Sequence, residues 1–399
     1  MGNANLRGRI RDGLIVVILI AVVAGVSHFL VTNPLGFSRI LYIVEAPLIA
    51  RQTRCTEAAP RWMHELQRYA TRQQGAPASQ LAFIEPGGRL HHCETGWKDG
   101  VWGDSQLEPD TRFRFASVTK PVTAAAILEL INRNKLSPDD RLVEVMGLDA
   151  PLKDERVAEI TVAHLLSHRG GWDRVTTQDA MFLRGVQPWC PGQYQELANT
   201  TLQYRPGTRY AYSNLGYCLL GVVIERVTGQ PYRDYVSELF EFDESTLAFV
   251  DGPYHADEVT YDTRHENFYT DTYFKYFDFK AISAAAGLSG SASDLARLFH
   301  RQLRSEGAVA LGDGYGEAEC NLAEFQSCYG YGLYRYQPTP EAEPVDLHGG
   351  KFPGNTSVVM MDGTGAVLVW VGAGSKPGTE RTEAFYNHVY QALTNHARQ

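Results

Sequence analysis

Two strand-turn-strand patterns stand near opposite ends of this 399-residue chain, and they constrain its fold more than anything between them. Leu81 to Ile84, the turn Pro86-Gly87-Gly88 and Leu90 to Thr95 read as one β-hairpin. Thr356 to Met361, the turn Asp362-Gly363-Thr364-Gly365 and Ala366 to Val371 read as another. From Asp139 to about Leu239 most signals are helical or loop, punctuated by Pro191-Gly192 and Pro206-Gly207. An amphipathic helix from Pro60 to Gln74, with Trp62, Leu66 and Tyr69 on one face, precedes the first hairpin. A helix from Glu380 to Asn395 closes the chain. The simplest architecture is an α+β fold. Its antiparallel sheet is assembled from both ends, flanked by N- and C-terminal helices, and carries an inserted, mostly helical lobe. A cleft between sheet and lobe is the natural place for a site.

The N-terminus is of another kind. Leu14 to Val31 is apolar except for Ser27 and His28, a run of 18 residues near the lower limit for a membrane-spanning helix. Arg7, Arg9 and Arg11 precede it, which places the N-terminus in the cytoplasm and the bulk of the chain outside. No clear A-x-A site follows, so an uncleaved anchor is favoured over a removed signal peptide. A second apolar patch, Ile40 to Ile49, is broken by Glu45 and Pro47 and is too short to span; it lies in the interface or packs on the domain. The expected organisation is a cytoplasmic tail (1–13), an anchor (14–33), a juxtamembrane linker (34–58) and one exported domain (59–397), on the periplasmic side of the membrane.

Composition excludes some partners. The formal net charge is −9 with no basic cluster to offset it, which argues against a nucleic-acid partner. The six cysteines contain no C-x-x-C pair, so neither a zinc knuckle nor a thioredoxin-type motif is suggested. An even count in an exported chain permits disulfides. Cys320 and Cys328, close together in a polar loop, are the first candidates for a pair, while Cys218 reads equally well as a buried thiol.

The chemistry-bearing stretch is Phe115-Ala116-Ser117-Val118-Thr119-Lys120-Pro121, followed by an apolar helical run. On a helix, Ser117 and Lys120 are one turn apart and within mutual reach. A serine hydroxyl is a weak nucleophile and needs a basic neighbour. Alone, Ser117 reads as a helix N-cap. Two further elements change that. Tyr212-Ser213-Asn214 lies between the Pro206-Gly207 turn and an apolar helix, Leu215 to Val227; His348-Gly349-Gly350 leads through Lys351 into the last hairpin.

In this order the three elements resemble those of the serine β-lactamases and penicillin-binding proteins, especially the branch of class C β-lactamases and D-alanyl-D-alanine carboxypeptidases, with their related esterases and D-amino-acid peptidases. His164 to Gly171 and Ala286 to Leu295 are similar to supporting stretches of that family. The resemblance runs from about Pro60 to Ala397. It implies Ser117 as the acylated nucleophile, Lys120 as its hydrogen-bonding neighbour and Tyr212 as general base. Asn214, His348, Gly349 and Gly350 would hold the substrate, and the backbone N–H groups of Ser117 and Lys351 would meet the oxyanion. Free tyrosine has a pKa of about 10, too high for a base at neutral pH; a neighbouring lysine cation favours the phenolate. No metal or organic cofactor is required. His164 and His168 are spaced i, i+4, but no glutamate follows His164 in the H-E-x-x-H manner, so the family's structural use of this stretch is preferred to a metal site.

The third motif departs from the pattern. Where many relatives carry K-T-G to read a substrate carboxylate, this chain has His348 and Gly349. Histidine is largely neutral near pH 7 and glycine has no hydroxyl. The expected activity is therefore hydrolysis of an ester, an amide or a D-amino-acid peptide. A true β-lactamase, an acyl transferase and a non-catalytic receptor or scaffold remain as alternatives. Between Phe268 and Phe279 lie seven tyrosines or phenylalanines, which either wall the cleft or pack under a long loop.

Overall fold

The computed structural model describes residues 2–174, 181, 185–252, 254–266, 277–303, 307, 309–314, 320, 328–376 and 378–396. Helix α1 spans Gly2–Thr32 and α2 spans Pro34–Ile49. Strand β1 (Arg54–Cys55) and helix α3 (Arg61–Gln74) lead into the hairpin β2 (Ser79–Ile84) and β3 (Leu90–Thr95). Strand β4 (Phe113–Arg114) then delivers the chain to α4 (Thr119–Asn132). The inserted lobe holds α5 (Leu142–Met146), α6 (Val162–Leu166), α7 (Asn214–Thr228) and α8 (Tyr232–Leu239). After it come β5 (Ala248–Phe249), α9 (Ser283–Ala286), β6 (Leu288–Gly290) and α10 (Ala292–Leu303). The chain ends with β7 (Tyr334–Tyr336), β8 (Val345–Phe352), β9 (Asn355–Asp362), β10 (Val367–Gly372) and α11 (Thr379–His396).

Both terminal hairpins join one seven-stranded antiparallel sheet in the order β1-β3-β2-β10-β9-β8-β7. The join is β2 against β10, with Ile84 opposite Val367 and Ser79 opposite Gly372. Period-2 alternation sorts the last hairpin between two cores. Val359, Met361, Val367 and Val369 face the lobe, α4 and α10, while Val358, Met360, Leu368 and Trp370 face α3 and α11. Each such side chain contributes about 1.5–3 kcal/mol by leaving water. A small sheet, β4-β6-β5, pins the chain just before α4 to the far side of the lobe. On α3 the core positions are Met63, Leu66 and Ala70, with Trp62 and Tyr69 at the margin. The buried face is thus rotated from the expected one.

Three findings concern the N-terminal region and the cysteines. Asp12–Thr32 is long and apolar enough to cross a membrane and is not buried against the rest of the chain. Residues 34–58, expected as a linker, begin as helix α2. Its Tyr42, Ala46 and Ile49 are buried against the domain, so the short apolar patch does pack there. The cysteines form Cys55–Cys93, Cys190–Cys218 and Cys320–Cys328. The last pair is the one suggested by proximity. Cys218, read as a possible buried thiol, is instead bonded to Cys190, because α7 passes beside the loop that carries Cys190.

Candidate active site

Ser117 is the middle residue of a 3-10 turn, Ala116–Val118, that joins β4 to α4. Its hydroxyl does not cap the helix; the N-cap position belongs to Val118, which has no side-chain cap. Ala116 sits at φ 47°, a left-handed conformation that costs a non-glycine residue about 1–2 kcal/mol. Long-range bonds hold it there. Ser357 Oγ donates to the Phe115 carbonyl at 2.6 Å, Phe115 N–H donates to the Leu288 carbonyl at 2.9 Å, and Leu288 N–H donates to Thr119 Oγ1 at 3.1 Å.

One turn on, Lys120 is fully buried. Its ammonium donates to Ser117 Oγ at 3.2 Å, Asn214 Oδ1 at 2.7 Å and the Ala285 carbonyl at 2.9 Å, so three protons meet three acceptors. The same cation lies 4.7 Å from the centre of the Tyr212 ring. The Tyr212 hydroxyl donates to Ser117 Oγ at 2.7 Å. The nucleophile candidate is therefore bonded to both of its candidate partners.

The Tyr-Ser-Asn triplet folds as a helix start. Ser213 is the N-cap of α7 and its hydroxyl accepts from Gly216 N–H at 3.1 Å. Asn214 opens the first turn and Tyr212 stands just outside it. His168 fixes this turn from below. Its Nδ1 accepts from Ser213 N–H at 3.2 Å and its carbonyl accepts from Ala211 N–H at 2.8 Å. Its ring lies 4.4 Å from that of Tyr212, centre to centre. Burial, reinforced by the Lys120 cation, pushes the His168 pKa well below the usual histidine value, so Nδ1 stays available as an acceptor. His168 does not share a helix face with His164: α6 ends at Leu166, and His168 has φ 55°.

Strand β8 supplies the third side. His348 is buried, with Nδ1 2.8 Å from the Gly349 carbonyl. Burial first, and then the Lys120 cation, push its pKa down to about 3, so it carries no charge at neutral pH. Gly350 passes so close to Ser117 that a Cβ there would lie 2.3 Å from the Phe115 carbonyl oxygen and 3.0 Å from the Ser117 nitrogen. At Gly349 a Cβ would lie 1.7 Å from the Tyr386 hydroxyl, so α11 fills the space a larger residue would need. The pairing of β7 with β8 stops at Leu347; among the described residues, the β8 edge from His348 to Phe352 has no strand beside it. The Lys351 side chain points to solvent, leaving its backbone as its contribution to that edge.

The sequence and the fold match one family. A family model described as Beta-lactamase covers residues 61–393. The chain belongs to the beta-lactamase family. It is 36% identical over 390 residues to FimD of serogroup D from Dichelobacter nodosus, whose name proposes a role in fimbrial assembly; the match covers 98% of each chain. It is 34% identical over 146 residues to the esterase EstB of Burkholderia gladioli, spanning 33% of this chain and 36% of that one. The D-amino acid amidase of Ochrobactrum anthropi SV3, solved with L-phenylalanine amide, shares the fold with a TM-score of 0.62 at 20% identity, over 82% of this chain and 95% of that one.

Within this beta-lactamase-family site, three contributors escaped the sequence reading. The Ala285 carbonyl binds Lys120, the His168 ring supports Tyr212, and the Arg174 guanidinium lies 4.6 Å from the centre of the Tyr212 ring. Each comes from an element distant in sequence from its partner, and only the His164 to Gly171 stretch marked one of them. Of the aromatic segment, residues 267–276 lie outside those described. Tyr254 and Phe279 pack on the guanidinium of buried Arg114, which pairs with Glu258 at 2.7 Å. Among the described residues no group of three His, Cys, Asp or Glu side chains is placed to hold a metal ion.

Proposed function

We propose that the chain is a membrane-anchored serine hydrolase that works through an acyl-enzyme on Ser117, acting on an ester, an amide or a D-amino-acid peptide. The observation that carries this reading is Ser117 Oγ held between Lys120 Nζ at 3.2 Å and Tyr212 OH at 2.7 Å. The Lys120 cation beside the ring favours the phenolate of Tyr212. That phenolate takes the Ser117 proton as Oγ attacks the substrate carbonyl carbon. The oxyanion that forms is met by the N–H groups of Ser117 and Lys351. Collapse expels the alcohol or amine, which receives the proton from Tyr212. Water then repeats the sequence on the acyl ester and frees Ser117. Asn214, His348, Gly349 and Gly350 line the substrate's place.

Neutral His348 favours esters and amides over β-lactams, whose carboxylate asks for a charged partner; the Gly349 position faces Tyr386 of α11 and takes no part in that choice. The named activities of the esterase and amidase relatives support that class. The fimbrial name of the Dichelobacter nodosus relative supports a site of action at the cell surface, as do three disulfides, which belong to an oxidising compartment. The α1 helix supplies the anchor, with Arg7, Arg9 and Arg11 on the cytoplasmic side.

The test is intact mass of the full chain after exposure to a penicillin, a D-alanyl-D-alanine peptide and a short-chain aryl ester. An adduct on Ser117 with the ester or peptide, absent in Ser117→Ala, is expected, with activity falling by about 10⁴-fold or more in the variant. Rapid cephalosporin turnover would overturn the substrate preference. Failure of every probe to label Ser117 would leave the non-catalytic receptor as the better reading.

A further inference from the structure

Helix α2 has two unlike faces. Tyr42, Ala46 and Ile49 are buried in the domain. The helix's two charges lie on that same side. Glu45 pairs with Arg264 at 2.7 Å, and Arg39 donates to the Glu266 carbonyl at 3.2 Å. The opposite arc consists of Phe37, Ile40, Leu41, Ile43, Val44 and Leu48, all at least 41% exposed, with Ile43 at 73%. At about 100° per residue these six fall together, and only Gly36 and Pro47 complete the arc. No charged or amide side chain interrupts it.

Two observations say what covers this face. Only Asn33 separates α2 from α1, so α2 begins where the apolar segment Asp12–Thr32 ends. Beside α2, Trp97 and Val101 pack on its buried cluster, and the Trp97 ring lies 4.9 Å from that of Trp102, which is 49% exposed. An exposed indole next to an uncharged helical arc suits the boundary between lipid headgroups and acyl chains.

We propose that α2 lies flat in the outer boundary of the bilayer, with its Phe37 to Leu48 arc inserted and Trp102 alongside. The domain is thereby held against the membrane in one orientation instead of hanging on a flexible stalk. This rests on the anchoring half of the reading above. It also sets the position of the catalytic strand. Glu266, which receives Arg39 through its carbonyl, accepts the Gly354 N–H through Oε1 at 3.2 Å, and Gly354 sits in the turn just past Lys351. One loop thus ties α2 to the tip of β8.

All six native cysteines are in disulfides, so an added cysteine is the sole thiol. The full chain would carry a nitroxide at Val44→Cys, Val22→Cys or Arg205→Cys, in vesicles of phosphatidylcholine and phosphatidylglycerol. Accessibility to oxygen and to a water-soluble nickel chelate would then be measured. The expected result is a Val44 label shielded from nickel several-fold relative to Arg205, at a depth of about 5–10 Å, with Val22 deeper. A Val44 label as open to nickel as Arg205, with Val22 still deep, overturns the proposal and leaves the anchor standing. Nickel access at Val22 as well overturns both. A Val44 label shielded from both reagents, with spin–spin broadening that disappears on dilution with unlabelled protein, identifies a second copy as the cover and also overturns the proposal.

Discussion

Gly350 is a glycine for a reason of space. A Cβ there would meet the Phe115 carbonyl oxygen at 2.3 Å and Ser357 Oγ at 2.4 Å, the pair of atoms that holds the Ser117 turn. Neither can retreat without moving Ser117. Gly350→Ala is expected to lower acylation at least tenfold and to destabilise the protein by about 1–3 kcal/mol, the usual range for overpacking. Gly87→Ala, where a Cβ would touch nothing within 4 Å, is the control expected to change neither. Pre-steady-state labelling and thermal melts of the two variants check this; equal behaviour would remove the steric account. At this scale the clustering of Ser117, Lys120, Tyr212 and Asn214 was readable in advance. Ser117 and Lys120 are neighbours along one helix turn, and Tyr212 and Asn214 sit on one helix start, so local spacing places each pair. The reason for Gly349 was not readable, because it is the Tyr386 hydroxyl, brought in by a helix that follows two strands later. Arg174 was hidden for the same reason: nothing near it in sequence says that Tyr212 will pass beneath it.

Among the elements, the residue just past the end of α6 reaches forward to the turn that starts α7. His168 takes a left-handed φ of 55° to turn its ring under Tyr212, and accepts the Ser213 N–H. Alanine would lose the acceptor, leave a cavity among Tyr212, Tyr217 and Tyr329, and keep the backbone penalty. Asparagine tolerates the left-handed region and can offer an acceptor. His168→Ala is therefore expected to cut kcat about tenfold or more, and His168→Asn to recover part of the loss. If both variants fall equally in kcat and equally in thermal stability, the residue is only a core filler. The element order itself was legible from hairpin and helix signals. What was not legible was α2, because the apolar patch that suits an interface also suits a protein surface. The structure assigns one face to the domain through Tyr42, Ala46 and Ile49, and leaves the other exposed.

Taken as one molecule, the protein buries several histidines in neutral form, and this sets how it should respond to acid. Burial pushes His348 down to about 3 and His265 to about 4, and holds His168 well below the ordinary value. Unfolded histidines titrate near 6.5. As pH falls below about 6.5 the unfolded chain binds protons at these positions while the folded chain does not, so stability declines with falling pH. Each such group contributes about 1.4 kcal/mol per pH unit until its folded pKa is reached. Asp346 acts in the opposite sense. Burial raises its pKa to about 6 in the folded state, so between about 6 and 3.8 it favours the folded form as pH falls. Burial lowers His164 and His388 in the same direction, so one opposing carboxyl against these histidines leaves a net loss. Above about 6.5 none of these histidines changes its contribution. The midpoint of thermal unfolding of the full chain in detergent is thus expected to be level between pH 7 and 8 and to fall steadily from pH 6.5 to 4.5. Replacing one contributor, as in His348→Gln, should make that decline shallower by about 1.4 kcal/mol per pH unit, whatever the variant does to stability at pH 7.5. A midpoint that holds or rises on acidification, or a slope that His348→Gln leaves unchanged, would mean that these rings are charged or hydrated in the folded protein. The neutral His348 on which the proposed substrate preference rests would then be lost with it.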